Sequence, residues 1–125
     1  MSVANTIEFT LGELKTIESS LKKLLELQLP IKIAYRFSKA LAKISKELAL
    51  LNEQHSNLVR KYGINNEETQ EIRVSPENME AFVAEFNELI SEKIEVSMAP
   101  ISIDSLPDSL NITPFDMANL EKFFE

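Results

Sequence analysis

Hydrophobic positions in this chain recur at helical spacing over most of its length, most regularly between Pro30 and Gly63. Phe37, Leu41, Ile44, Leu48, Leu51, His55, Leu58 and Tyr62 follow one another at alternating steps of four and three. A period of about 3.5 residues is a heptad seam, and it predicts one long helix with a single polar member, His55, on its apolar stripe. Pro30 suits the first helical turn, where a missing N–H is not needed. Gly63 suits the left-handed position just past a helix end, and Arg60 and Lys61 favour the last turn. A seam this long has to be covered, either by the rest of the chain or by a second copy.

The flanking patterns are shorter. NTIEF at 5–9 predicts a strand. Thr10 is then an N-cap, and Glu13 three residues on completes a capping box. These open a helix from about Leu11 to Gln28, with Leu11, Leu14, Ile17, Leu21, Leu24 and Leu25 as its apolar stripe. Leu29 precedes a proline and ends it, and so short a connection favours an antiparallel helical hairpin with the long helix. After Gly63 a polar turn at 64–68 leads to a second strand, TQEIRV, at 69–74. Ser75-Pro76-Glu77 carries the signature of a helix start, and this third helix runs to about Ser91. Its apolar face is Met79, Phe82, Val83, Phe86, Leu89 and Ile90; its other face is Glu77, Glu80, Glu85, Glu88 and Glu92. Lys93 to Met98 alternates as a strand does, and its expected partner is 69–74. Ile101 and Ile103, after Pro100, continue as an edge strand. A loop at 104–112 follows, and Thr113 caps a short final helix that docks through Phe115, Leu120, Phe123 and Phe124. The expected fold is mostly α with minor β: an N-terminal antiparallel helical hairpin containing one long helix, a small β-hairpin-like element and two further helices, in a single domain spanning 1–125.

Composition narrows what such a chain does. The 125 residues contain no cysteine, one histidine and two glycines. That excludes a disulfide framework, a thiol nucleophile and every glycine-rich phosphate loop. With one histidine no nucleophile-and-base set can be assembled, so the chain is not expected to be an enzyme, nor to carry a cofactor or metal. No apolar run approaches the ~18–20 residues that span a bilayer, and MSVANTIEFT lacks the basic start and apolar core of a secretory leader, so a cytoplasmic protein without a membrane partner is expected.

Charge changes the picture more. The net charge is −7, but residues 1–62 carry ten Lys/Arg against six Asp/Glu, and residues 63–125 three against fourteen. Lys32, Arg36, Lys39, Lys43 and Lys46 form a ridge on the long helix away from its seam. Such a ridge can follow a phosphate backbone, but no aromatic or amide readout set accompanies it and the whole chain is acidic, which disfavours nucleic acid. A solvated or intramolecularly paired face is the plainer reading; contact with an acidic protein or with the chain's own third helix is the sharper one. Glu77, Glu80 and Glu88 belong to an acidic face that either solubilises the helix, docks a basic partner or mimics a nucleic acid. His55 on the seam can fix helix register or sense pH near 6–7.

Several stretches together carry a resemblance: LPIKIAYRFSKAL opening the long helix, NLVRKYG closing it, then FVAEFNELISEKIEV, and a tail ending ITPFDMANLEKFF. Over most of residues 20–125 this layout is similar to small phage and prophage proteins of low-GC Gram-positive bacteria, a family with no assigned activity. The resemblance implies a phage or prophage setting, a location in the host cytoplasm and a role by binding. It transfers no functional residue.

The expected function is therefore a small non-enzymatic protein that acts by protein–protein interaction through its long helix, on itself as a homo-oligomer or on a host or phage protein. The residues expected to carry assembly are Leu48, Leu51, His55, Leu58 and Tyr62. The expected charged partner surface is Lys32, Arg36, Lys39, Lys43 and Lys46 with Glu77, Glu80 and Glu88. The alternative is an acidic inhibitor of a host nucleic-acid-binding or defence enzyme.

Overall fold

The computed structural model describes residues 6–66, 68, 70–108 and 110–125. Asn5 of the first expected strand, Glu67 of the polar turn, Thr69 of the second expected strand and Ser109 of the expected loop lie outside the described residues. The elements are β1 (Thr6–Thr10), α1 (Leu14–Leu25), α2 (Ile31–Tyr62), β2 (Gly63–Asn66), β3 (Glu71–Val74), α3 (Met79–Ile90), β4 (Lys93–Ser97) and α4 (Pro114–Asn119). Single 3-10 turns occupy Leu11–Glu13, Ile103–Ser105 and Glu121–Phe123. The fold is mostly α with minor β, built on the long helix and an antiparallel α1–α2 hairpin.

The amphipathic stripe of α1 packs as its spacing predicts: Leu14, Ile17, Leu21 and Leu24 are buried with Phe37, Ala40, Ile44 and Leu48 of α2 in one core. The Ser45 hydroxyl of α2 donates to the Glu18 carboxylate of α1 at 2.7 Å and ties the hairpin across its solvent edge. The helix is shorter than expected, opening with a 3-10 turn and stopping at Leu25. Glu13 still reaches back as a capping box requires: its Oε1 accepts from the Thr10 N–H at 3.2 Å and from the Thr10 hydroxyl at 3.0 Å. Partial burial works to raise the Glu13 pKa, but these two donors and the nearby Lys122 ammonium together outweigh it and hold the carboxyl below its usual range.

The limits of α2 match the sequence, but the roles of its boundary residues differ. Pro30 precedes the helix in an extended conformation rather than occupying its first turn. Gly63 is also extended, at φ −88° and ψ 159°, and begins β2. Its lack of a side chain serves close packing, not a left-handed turn: a Cβ there would overlap the Ile72 Cγ2 and the Val59 carbonyl. The last carbonyl of α2, that of Tyr62, accepts instead from the Asn78 side-chain amide at 3.1 Å.

Strand partners are the main correction. β4 pairs antiparallel with β1, in the register Ile7↔Val96 and Phe9↔Ile94, and not with 69–74. That register sets Ile7, Phe9 and Val96 together on the core face. It also sets Glu8 opposite Glu95, a like-charge pair relieved by Lys93 at 3.3 Å from Glu8. β3 pairs with β2, whose residues 64–66 were expected to begin a polar turn. The two are close in sequence, so a hairpin costs little loop entropy, and their faces have little apolar surface to offer a distant partner. α3 starts at Met79, four residues after the expected serine cap, because 76–78 form a turn in which the Asn78 N–H donates to the Ser75 carbonyl at 3.0 Å.

The tail closes the core. Phe123 is fully buried, its ring 5.3 Å from that of Phe9 and 5.8 Å from that of Phe37. The expected edge strand at Ile101 and Ile103 reduces to one bridge, in which the Ile101 N–H donates to Phe123 at 2.8 Å and its carbonyl accepts from Glu125 at 3.1 Å. Ile103 instead opens a 3-10 turn. Phe115, expected to dock α4, is 70% exposed. The inward side of that short helix is set by Asp116 and Leu120, four apart, and the adjacent position is rotated by about 100° out of the contact. All the fully buried residues lie in β1, α1, the first half of α2, β4 and the tail; among the described residues none between 49 and 95 is fully buried.

Candidate functional site

The residues expected on the seam separate into two groups. Leu48 belongs to the core, and Leu51 packs half-buried at its edge. The rest face α3 of the same chain. The His55 ring lies 5.1 Å from Phe86 and 5.8 Å from Phe82, and the Tyr62 ring 6.5 Å from Phe82. Leu58 shares a shallow groove with Leu89. The second half of the seam is thus occupied by α3, on one side only, because two helices in contact cover just one side of each other.

The basic ridge lies open. Lys32, Arg36, Lys39, Lys43 and Lys46 are all exposed. Lys43 pairs with Glu47 at 3.0 Å; the other four take part in none of the ion pairs among the described residues. The structure places Lys32, Arg36 and Lys39 around a groove of about 580 Å³ between the start of α2 and the end of β4. Ile31, Tyr35, Met98 and Ala99 supply its apolar surface, and Ser97 its one small hydroxyl. Ile31 is 85% exposed and Tyr35 63%, while Met98 is buried beneath them. The Lys39 ammonium sits 5.5 Å over the Tyr35 ring.

Local sequence explains the arrangement. Ile31 and Tyr35 are four apart, as are Lys32 and Arg36, so two adjacent stripes rise on neighbouring lines of one helix. They lie off the heptad seam and therefore outside the core. The positive end of the α2 dipole adds to the same field. The sequence reading found no aromatic with the ridge, yet Tyr35 stands within it; the off-seam pair Ile31 and Tyr35 was the signal that could have located this surface. Met98 and Ala99 had no such signal, because the β1–β4 pairing brings them here.

Chemically the groove combines three cations that enter no ion pair among the described residues with bulky apolar side chains, and none of its lining residues is acidic. It suits an acidic surface that carries apolar side chains. No histidine or carboxylate lines it to activate Tyr35 or Ser97.

The acidic residues lie elsewhere. Glu77, Glu80 and Glu88 are exposed on or beside α3 and take part in none of the ion pairs among the described residues. Met79 and Val83 are each 43% exposed on the same helix. Glu85 is different: its carboxylate accepts from Lys61 at 2.9 Å, which holds Glu85 below its usual pKa and raises that of Lys61. The cation that meets α3 is therefore Lys61, and among the described residues no ion pair joins the ridge to the third helix. About 33 Å of helix separates Lys39 from Lys61.

A second polar cluster joins α4 to α1. The Ser20 hydroxyl donates to Asp116 at 2.7 Å, the Thr113 hydroxyl donates at 2.9 Å, and Lys23 lies 3.7 Å away. Asn119 donates to Ser20 at 3.0 Å. The Ser20 hydrogen bond first, then those of Thr113 and the charge of Lys23, hold Asp116 below its ordinary pKa despite burial. Every partner is accounted for inside the chain, so the cluster reads as a structural fastener.

Among the described residues no group of three or more His, Cys, Asp or Glu is placed to hold a metal ion, and no helix is long and apolar enough to cross a membrane. Comparison with protein-family models, with curated proteins and with solved structures finds no match to this chain.

Proposed function

We propose that this protein is a non-enzymatic interaction protein whose working surface is about the first two and a half turns of the long helix, and that it takes an acidic protein partner with exposed apolar side chains. One observation carries the reading: Ile31 and Tyr35 are exposed beside Lys32, Arg36 and Lys39 around one groove, and among the described residues no acidic side chain pairs with these cations. Burying the two apolar side chains would contribute affinity, and the cations would set partner choice and association rate. This moves the expected interface from the seam to the opposite face of the same helix. The resemblance to phage and prophage proteins supports a setting in a host cytoplasm.

Fluorescence anisotropy with a labelled synthetic helical peptide rich in Glu and Leu tests the reading. Binding is expected at low ionic strength and is expected to weaken with added salt. Arg36→Glu with Lys39→Glu is expected to weaken it at least about tenfold while leaving the circular dichroism spectrum and thermal midpoint unchanged. Binding that ignores this double variant, or no binding at low salt, overturns the reading.

A further inference from the structure

The groove has a complementary surface on the same molecule. Met79 and Val83, four apart on α3, are exposed, with Glu80 beside them on the helix and Glu77 in the turn just before it, neither in an ion pair among the described residues. The groove presents the matching pattern with opposite sign: Ile31 and Tyr35 four apart, flanked by Lys32, Arg36 and Lys39. Two helices with the same apolar spacing and opposite flanking charge fit one another side by side. Within one chain they cannot meet, because the stiff length of α2 holds them apart; about 33 Å of it lies between Lys39 and the Lys61 that fixes α3. The attraction between these two particular surfaces is left unsatisfied among the described residues of one chain and is available between copies.

We infer that the occupant of the groove is a second copy of this chain, which inserts the Met79–Val83 side of its α3 between Ile31 and Tyr35 and sets Glu77 and Glu80 against Lys32, Arg36 and Lys39. The inference rests on the reading of the groove as a docking surface for an acidic partner and names that partner. The contact is heterologous, groove to helix, so an open assembly keeps one free groove at one end and one free helix face at the other. Such a contact grows head to tail beyond the dimer or closes into a ring. It differs from a seam-to-seam coiled coil, which would displace α3 and stop at a fixed number of chains.

Sedimentation velocity on the full chain tests this. The expected result is a weight-average mass that rises past the dimer with concentration at about 50 mM salt and returns to the monomer at about 500 mM. Arg36→Glu with Lys39→Glu, and separately Glu77→Lys with Glu80→Lys, are each expected to remain monomeric. An equimolar mixture of the two is expected to regain mass, because the acidic groove of one then matches the basic helix of the other. Thermal midpoints like that of the unaltered protein show that each variant is folded. Three outcomes overturn the inference: a monomer at every concentration up to about 1 mM, a salt-indifferent dimer that stops at two, or a mixture that stays monomeric. If the unaltered protein is monomeric yet still binds the acidic peptide through Arg36 and Lys39, self-association fails and the docking surface stands. If neither occurs, both fail.

Discussion

At the scale of single residues, polar side chains decide where the tail sits. Asp116 is buried but charged, because Ser20, Thr113 and Lys23 stabilise its ionised form. Its pKa is therefore lower in the folded protein than in the unfolded chain, where it lies near its ordinary 3.8. A carboxylate lowered on folding contributes stability that is complete above the unfolded value and is lost as the pH falls through the folded one. Thermal unfolding followed from about pH 5 to about pH 2 is expected to show Asp116→Asn less stable than the unaltered protein at the upper end, with the gap closing toward the lower. A gap constant with pH would mean that the fastener owes nothing to the charge. The partners Thr113 and Asp116 could be read from the sequence as a helix cap. Ser20 could not, because nothing in a serine on α1 announces an acceptor ninety-six residues away.

At the scale of elements, the two halves of α2 share one hydrophobic period but have different surroundings. Ile44 is fully buried in the core that α2 shares with α1; Leu58 is half-buried beside Leu89 of α3. Ile44→Ala is expected to cost about 2–5 kcal/mol in urea unfolding. Leu58→Ala is expected to cost about 1 kcal/mol, since much of its apolar surface already faces water. Equal costs would show that the far end of the helix is covered by something beyond α3, such as a second copy along the seam. The extent of each helix was largely legible, because helical hydrogen bonds and amphipathic spacing are local. Strand pairing was not: 69–74 and 93–98 both alternate as strands, and a period of two does not name a partner. Loop closure gave β3 to β2, and burial of Ile7, Phe9 and Val96 gave β4 to β1.

At the scale of the molecule, fully buried side chains are concentrated at one end of the long helix, and among the described residues from 49 to 95 burial is at most partial. Regions without buried side chains open at lower free energy than the core. Native-state hydrogen exchange is expected to find the amides of α3 and of the last three turns of α2 exchanging well before those around Phe37 to Leu48. Uniform protection along α2 would contradict this gradient. If self-association forms as inferred, exchange in α3 is expected to slow as protein concentration rises at low salt, since the neighbouring copy then covers it. The charge asymmetry acts at this scale too: Lys23–Asp116 and Lys61–Glu85 relieve part of it within one chain, whereas Lys32, Arg36, Lys39, Glu77 and Glu80 enter none of the ion pairs among the described residues.

The sequence by itself determined the long helix and its limits, the buried stripe of α1, the Thr113 cap and the separation of basic from acidic halves, because each depends on residues a few positions apart or on composition. The tertiary structure alone decided that α3 covers the second half of the seam, that Gly63 serves close packing, that Phe115 stays exposed, and that Met98 and Ala99 meet Ile31 and Tyr35 in one groove. Those outcomes depend on which distant surfaces compete best for burial. A periodic pattern says which face of an element is apolar, but not what will lie against it.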